Sequence, residues 1–339
     1  MPALAIAGQL RGKGAEVEFA GGERAEADLV PAAGYPFHPL EVAGLDRRNP
    51  LRAARAVGLA ARAYIGARRL VAPFDAVLGG GGYVAGPVGL AAVTRRVPLV
   101  LTEADSHLGM ANRLLARHAR KVFLAFPIEG RDGPRYEVSG RPIPPGTADA
   151  DRAAARRRFG IPEDARCLLV FGGSLGARRL NEAALEAFGR EAPFHVLHAS
   201  GRRDYDHLRT RLGELGSPPH YRLEAYIEPF ADAYAAADLA AARAGGSVFE
   251  LAAAGLPAIL VPYPHATADH QAGNARWMAD AGAAVVVPDA ELDAARLAGE
   301  AEDLMAEPDR LARMSAAARS LSRPDAAERV AQEILNVAR

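Results

Sequence analysis

The sequence predicts an α/β protein made of two doubly wound, Rossmann-like units. Three observations predict it. Short apolar runs alternate with Ala-rich amphipathic segments, the alternation comes as two series, and a Pro/Gly-rich stretch separates them. In the first series strand-like runs lie at 17–20, 76–78, 98–101 and 122–125, with helical patterns at 51–70, 85–95 and 108–118. In the second, strand-like runs lie at 167–171, 194–198, 238–242, 258–262 and 283–287, again separated by helical patterns. Strand-helix alternation of this kind builds parallel sheets, because a parallel pair needs a crossover connection.

The divider, Ser-Gly-Arg-Pro-Ile-Pro-Pro-Gly at 139–146, cannot pair regularly, so it reads as a linker. It gives a first unit over 1–143 and a second over 144–324. A C-terminal helix at about 325–339 is expected to pack back on the first unit. Asp149 and Asp151 follow the linker and precede Arg152. An Asp-x-Asp pair can hold a divalent metal, but directly before an Ala/Arg-rich helix, capping is the better reading. Met1 and Pro2 open the chain in a pattern that reads directly as a helix, where proline in the first turn costs nothing.

Composition narrows the function. The 339 residues carry 41 Lys plus Arg against 41 Asp plus Glu, a balance that gives no support to bulk nucleic-acid binding. The one cysteine, Cys167, excludes a disulfide framework and reads as a small buried apolar residue. No apolar stretch approaches the roughly 20 residues that span a bilayer. The N-terminus lacks the basic region of a secretory signal, so a cytoplasmic protein is expected.

Four stretches are placed to bind ligands. At 170–177, Val-Phe-Gly-Gly-Ser-Leu-Gly-Ala carries a strand into a glycine turn and then a helix; amides at a helix start bind anions, and Ser174 adds a donor. At 79–87, four glycines followed by Tyr83, Gly86 and Pro87 read as a shaped loop that is concave to anions. At 242–250, Ala-Arg-Ala-Gly-Gly-Ser-Val-Phe-Glu enters a helix with Ser247 near its start and Glu250 one turn in. That carboxylate is placed either to complement the helix dipole or to accept from the two hydroxyls of a ribose. At 260–274 a double-proline turn presents His265, His270, Gln271 and Asn274; two histidines without a nearby cysteine make no zinc site, and neutral polar groups suit sugar hydroxyls.

Taken together these residues resemble the MurG family of glycosyltransferases. The resemblance covers nearly the whole chain and rests on the order of its pieces: 2–7, 81–87, 102–112, 172–177, 250–257 and 262–274. It implies the GT-B architecture, two Rossmann-like domains with the active site in the cleft between them. It also implies an inverting transfer of N-acetylglucosamine from UDP-N-acetylglucosamine to the C4 hydroxyl of undecaprenyl-pyrophosphoryl-N-acetylmuramoyl-pentapeptide, with no cofactor and no metal. By resemblance, Ser174 lies near the donor diphosphate, and Ile227 offers backbone groups to the uracil. Gly245, Gly246, Ser247, Val248 and Phe249 frame the phosphate and ribose, and Arg243 offsets phosphate charge. Glu250 takes the ribose hydroxyls and Gln271 those of the transferred sugar. Gly81, Gly82, Tyr83 and Gly86 face the acceptor pyrophosphate.

The chain also departs from that family. Many members have His-Glu-Gln-Asn where this chain has Thr102, Glu103, Ala104 and Asp105, so a carboxylate replaces an amide that contacts the donor sugar. Many have Asn-Pro-x-Arg where Arg141-Pro-Ile-Pro stands, and Arg141 is the candidate substitute. Members begin with a strand and a glycine loop ending in histidine ahead of the segment matching Pro2. The resemblance therefore implies a natural start roughly 10–20 residues upstream. It also puts the usual catalytic base in that loop and assigns none within the chain.

Residues 47–69 hold seven arginines and no acid, with Leu51, Val57, Leu59, Tyr64 and Ile65 among them. A basic amphipathic helix of this type either packs on its own sheet with a solvated charged face or lies on an anionic membrane surface; the second reading is the expectation and places the protein at the cytoplasmic face as a peripheral protein. Three other readings compete: a GT-B transferase with another lipid or natural-product acceptor, a nucleotide-sugar epimerase, and an inactive scaffold that binds UDP-sugar or lipid precursor. No carboxylate cluster suits the epimerase.

Overall fold

The computed structural model describes residues 2–23, 25–44, 49–173, 177–266 and 269–338. The chain divides into two compact units: Met1–Ile143 with Pro324–Arg339, and Pro144–Arg323.

The first unit runs α1 (Pro2–Gly12), β1 (Phe19–Gly21), α2 (Ala25–Ala32), β2 (Phe37–Pro39), α3 (Pro50–Leu70), β3 (Val77–Gly79), α4 (Gly82–Arg95), β4 (Leu99–Glu103), α5 (Met110–Leu115), β5 (Lys121–Leu124) and β6 (Tyr136–Val138). Strands β3, β4, β5 and β6 form a parallel sheet in that order, and β1 pairs with β2 in a separate parallel pair. Side chains alternate across the sheet, as strand geometry requires. Leu99, Leu101, Val122 and Leu124 pack on Ala92 and Leu115, whereas Val100 and Phe123 pack on the opposite side with Ile6 and Leu10 of α1. A helix from the far end of the sequence joins this second cluster. Ala327, Val330, Ala331 and Ile334 of the C-terminal helix (Ala326–Val337) recur at helical spacing and form one apolar stripe against α1. Glu137 on β6 reinforces the contact by pairing with Arg329 at 2.6 Å and Lys121 at 3.1 Å.

The second unit runs α6 (Arg152–Phe159), β7 (Cys167–Phe171), α7 (Arg178–Phe188), β8 (His195–Ala199), α8 (Arg202–Glu214), β9 (Tyr221–Glu224), α9 (Ala231–Ala236), β10 (Leu239–Ala242), α10 (Val248–Ala254), β11 (Ala258–Leu260), α11 (His270–Asp280), β12 (Ala284–Val286), α12 (Ala294–Ala306) and α13 (Pro308–Leu321). The last helix of the chain is α14. The parallel sheet has the order β12-β11-β10-β7-β8-β9. Every residue of β7 and β10 is buried, which is why both read as unbroken apolar runs.

Asp151 caps α6, accepting from the amides of Ala153 at 2.9 Å and Ala154 at 3.1 Å. Its carboxylate is thus used locally. Arg156, only 2% exposed, donates to Asp238 at 2.8 Å and to the Ala236 carbonyl at 3.1 Å, fastening α6 to the connection between α9 and β10. Asp238 also accepts the Cys167 amide at 2.9 Å. Cys167 is buried, and desolvation followed by the Asp238 charge pushes its thiol up to about 12.

Several elements differ from the sequence expectation. β2 and β6 have three residues each, too few for a period-2 pattern to be seen, and β2 ends in a proline. α2 was hidden by Pro31 in its body. α4 starts at Gly82 rather than 85, because glycines, weak helix formers by propensity, here occupy its first turns.

Candidate functional site

The strand order of the second unit locates its ligand crevice. From β7 the chain proceeds to β8 and β9 on one side, then returns to β10 on the other side of β7. In such sheets ligands bind beyond the carboxyl ends of the strands, where the order reverses. Here the two strands end side by side, Phe171 opposite Ala242, and their loops begin at Gly172 and Arg243.

Gly173 has φ +89°, and nothing lies within 4 Å of where a β-carbon would stand. The turn it makes needs glycine and is open on that side. Ser174, expected to face a diphosphate, lies outside the described residues. In the loop after β10, Gly245 also has open space at its β position. The carbonyls of Gly245 and Gly246 accept the amides of Val248 and Phe249, each at 3.3 Å, and turn the chain into α10. Ser247 is the N-cap residue, and its side chain makes no capping bond. Val248 and Phe249 are buried, with the Phe249 ring against Trp277, so these two offer a ligand backbone rather than side chain.

The 260–274 stretch supports this glycine loop. Asn274 is 2% exposed and donates to the carbonyls of Ala244 at 2.9 Å and Gly245 at 3.4 Å. It therefore braces the glycine loop from beneath rather than projecting from the turn. Gln271 accepts the Tyr263 amide through its carbonyl oxygen at 3.0 Å, which turns its NH₂ group to other acceptors. Arg243 is buried at 8% exposure; it pairs with Asp289 at 2.5 Å and donates to the carbonyls of Val261 at 3.1 Å and Pro262 at 3.4 Å. Its charge is matched by Asp289, and its geometry holds the exit of β11. Ile227 is buried at 2% exposure. Glu250 is half-buried in the first turn of α10 and accepts the Tyr234 hydroxyl at 2.9 Å. Tyr234 was not anticipated, since a tyrosine in an Ala-rich segment reads as core.

Behind the switch point runs a buried polar chain. His198, fully buried on β8, meets the Tyr221 hydroxyl at 2.7 Å and the Asn181 side-chain oxygen at 3.0 Å. The Asn181 NH₂ donates to the Ser200 carbonyl at 2.9 Å and to Asp204 at 3.1 Å. An amide oxygen only accepts, so His198 carries its proton on Nε2 and Tyr221 donates to Nδ1. Burial drives the His198 pKa down to about 3.

In the first unit the 79–87 stretch is less a loop than a helix start. Gly81 and Gly82 have φ +81° and +75°, and Tyr83 and Gly86 then lie in the first turns of α4. Tyr83 is half exposed, with its ring over Gly44 where any β-carbon would clash. Pro87, expected to shape a loop, is buried in α4. A clasp not foreseen from the sequence stands beside it. Glu103, 7% exposed at the end of β4, accepts from the amides of Ala104 at 3.0 Å, Asp105 at 3.2 Å and Gly109 at 2.8 Å, and from the Asn112 side chain at 2.9 Å. Asn112 also donates to the Thr102 carbonyl at 2.9 Å, and its nitrogen would lie 3.7 Å from a β-carbon on Gly81. The signal was present: a lone acid closing an apolar strand must find donors, and Gly109 and Asn112 follow in the next turn. Asp105 is held in this clasp by its amide and is itself half-buried.

α3 packs on α4, Ala67 and Tyr64 clustering with Val88 and Ala91 and the Tyr64 hydroxyl lying 3.2 Å from Thr94, and Ala56 and Ala63 of α3 are buried as well. Leu51, Val57 and Ile65 remain exposed at 82%, 60% and 60%. Arg55, Arg62, Arg68 and Arg69 are exposed on the same helix, Leu59 is half-buried, and Arg47 and Arg48 lie outside the described residues. Among the described residues no helix is long and apolar enough to cross a membrane. None of their His, Cys, Asp and Glu side chains gather in a group that could hold a metal ion.

Two α/β units on parallel sheets, the second with glycine turns open at a switch point and an acid one turn into the next helix, define a nucleotide-binding class of protein. Comparison with known proteins makes this specific. Residues 1–124 match the glycosyltransferase family 28 N-terminal domain and residues 167–330 its C-terminal domain. A relative from Salinibacter ruber named UDP-N-acetylglucosamine--N-acetylmuramyl-(pentapeptide) pyrophosphoryl-undecaprenol N-acetylglucosamine transferase is 44% identical, over 99% of this chain and 93% of its own. One of the same name from Methylococcus capsulatus is 42% identical, over 99% and 95%. The crystal structure of Acinetobacter baumannii MurG is similar with a TM-score of 0.79 and 30% identity, covering 99% of this chain and 95% of that one. The chain belongs to the MurG family of glycosyltransferases.

Proposed function

We propose that this protein transfers N-acetylglucosamine from UDP-N-acetylglucosamine to the C4 hydroxyl of undecaprenyl-pyrophosphoryl-N-acetylmuramoyl-pentapeptide, inverting the anomeric carbon, in peptidoglycan synthesis. The observation that carries the reading is identity above 40%, over 99% of the chain, to enzymes named for this transfer.

The donor belongs to the second unit. Ser174, Gly245, Gly246, Ser247, Val248 and Phe249 surround its diphosphate and ribose, chiefly through backbone amides. Ile227 meets the uracil with its backbone, Glu250 takes the ribose hydroxyls, and Gln271 donates to the transferred sugar. Arg243, charge-matched by Asp289, acts on phosphate only indirectly, by holding the exit of β11 beside the loop that Asn274 braces. As the glycosidic bond breaks, UDP gains negative charge, and fixed amides aimed at that charge stabilise it without reorganisation. Asp105 accepts from a donor-sugar hydroxyl, a role open to a carboxylate as well as to an amide. Gly81, Gly82, Tyr83 and Gly86 face the acceptor pyrophosphate at the start of α4. The exposed Leu51, Val57 and Ile65 among the arginines of α3 rest on the anionic cytoplasmic leaflet, each arginine near the surface contributing about 1 kcal/mol.

The decisive experiment is transfer of labelled N-acetylglucosamine to the lipid-linked acceptor, beside titration with UDP. Binding without transfer identifies a scaffold, and transfer only to other acceptors identifies a different transferase. Either result overturns the proposal. Flotation with anionic and neutral vesicles tests the surface: binding that is equal for both, or insensitive to salt, removes the electrostatic role of α3.

A further inference from the structure

We propose that Tyr234 is a positioning residue that sets the ribose-binding carboxylate of Glu250, and through it the preference for a ribonucleotide over a 2′-deoxyribonucleotide. The inference rests on the donor reading of Glu250 given above.

Tyr234 has no freedom to point elsewhere. It is 3% exposed, and its ring forms a triangle with two others: Phe171–Phe230 at 5.1 Å, Phe171–Tyr234 at 5.8 Å and Phe230–Tyr234 at 5.0 Å, each pair edge to face. Such edge-on packing is the favoured geometry for aromatic pairs, so the three rings lock one another. Their positions in the chain give the triangle its meaning. Phe171 is the last residue of β7, one residue before the glycine turn. Phe230 closes the stretch that contains Ile227 and immediately precedes α9. Tyr234 thus sits where the phosphate turn, the base-side loop and the first turn of α10 meet.

Its hydroxyl has a single proton, and that proton goes to Glu250 Oε2 at 2.9 Å. Burial first, then the charge of Glu250, then this bond, all raise the phenol above its ordinary pKa, so it remains a donor throughout the working range. A glutamate carboxylate rotates broadly about its last torsion. The Tyr234 bond restricts that rotation before any ligand arrives, and a pre-set acceptor loses less freedom on binding a diol than a mobile one. The gain exists only for a ligand that presents the diol. It is therefore a specificity effect, distinct from general stabilisation of the unit.

The experiment is isothermal titration of the full-length chain with UDP and with 2′-deoxy-UDP, in the wild type, Tyr234→Phe, Glu250→Ala and the double variant. Phenylalanine preserves the aromatic triangle, and any unfolded fraction cancels in the ratio of the two dissociation constants. The wild type is expected to prefer UDP by about tenfold or more. Tyr234→Phe lowers that preference by about threefold or more through weaker UDP binding alone, Glu250→Ala brings it near one, and the double variant matches Glu250→Ala. An unchanged preference in Tyr234→Phe overturns the inference and reduces Tyr234 to packing. An unchanged preference in Glu250→Ala removes the ribose assignment itself, and the inference with it, so the two failures are distinguishable.

Discussion

Acid should weaken this protein through a buried histidine, His198. The imidazole is fully buried, neutral and bonded on both nitrogens, with its pKa lowered from 6.5 to about 3 by desolvation. The sign follows from linkage. Above pH 6.5 the ring is neutral in both folded and unfolded chains and costs nothing. Below 6.5 the unfolded chain takes up a proton that the folded chain refuses, so stability falls as pH drops toward 3. The slope approaches about 1.4 kcal/mol per pH unit, and between pH 7 and pH 5 the loss amounts to about 2 kcal/mol. Other groups titrate over the same range, so a partner variant is needed. His198→Gln keeps one donor toward Asn181 and one acceptor toward Tyr221 but does not titrate. Urea unfolding of both proteins at pH 7 and pH 5 isolates the term. The wild type is expected to lose about 2 kcal/mol more than the variant between the two pH values. Parallel losses would mean that His198 is protonated in the folded state, and the chain of donors and acceptors drawn from Tyr221 to Asp204 would be wrong.

Two further outcomes follow from buried polar groups. Glu103→Gln replaces one acceptor oxygen of the clasp with an NH₂ that faces amide donors, and should cost about 2–4 kcal/mol; hydrogen exchange at the Ala104, Asp105 and Gly109 amides should quicken, and unchanged protection there would refute the clasp. Asp289→Ala leaves Arg243 buried without its counter-charge and should destabilise the second unit by about 3–5 kcal/mol in denaturant unfolding, whereas a cost under about 1 kcal/mol would show that the pair is effectively solvated.

The sequence by itself determined the strand-helix alternation, and with it the parallel sheets and the two doubly wound units. Runs such as Cys167–Phe171 and Leu239–Ala242 are apolar throughout because both sheet faces are covered, and that pattern survives without coordinates. Local chemistry was legible for the same reason. Asp151 before an Ala/Arg-rich helix could be read as a cap because a cap bonds two and three residues ahead. What only the tertiary structure decided involves partners far apart in the chain. The stripe on α14 is visible as a stripe, but α1, its partner, lies more than 300 residues earlier. The order that puts β10 beside β7 makes a crevice of the loops at Gly172 and Arg243, and no local pattern encodes it. Asn274 looked like a sugar contact and is a brace; Arg243 looked free for phosphate and is paired with Asp289; Glu250 stands oriented by a tyrosine sixteen residues away. A residue type declares which bonds a side chain can make. Which of them it makes depends on what the fold brings within about 3 Å.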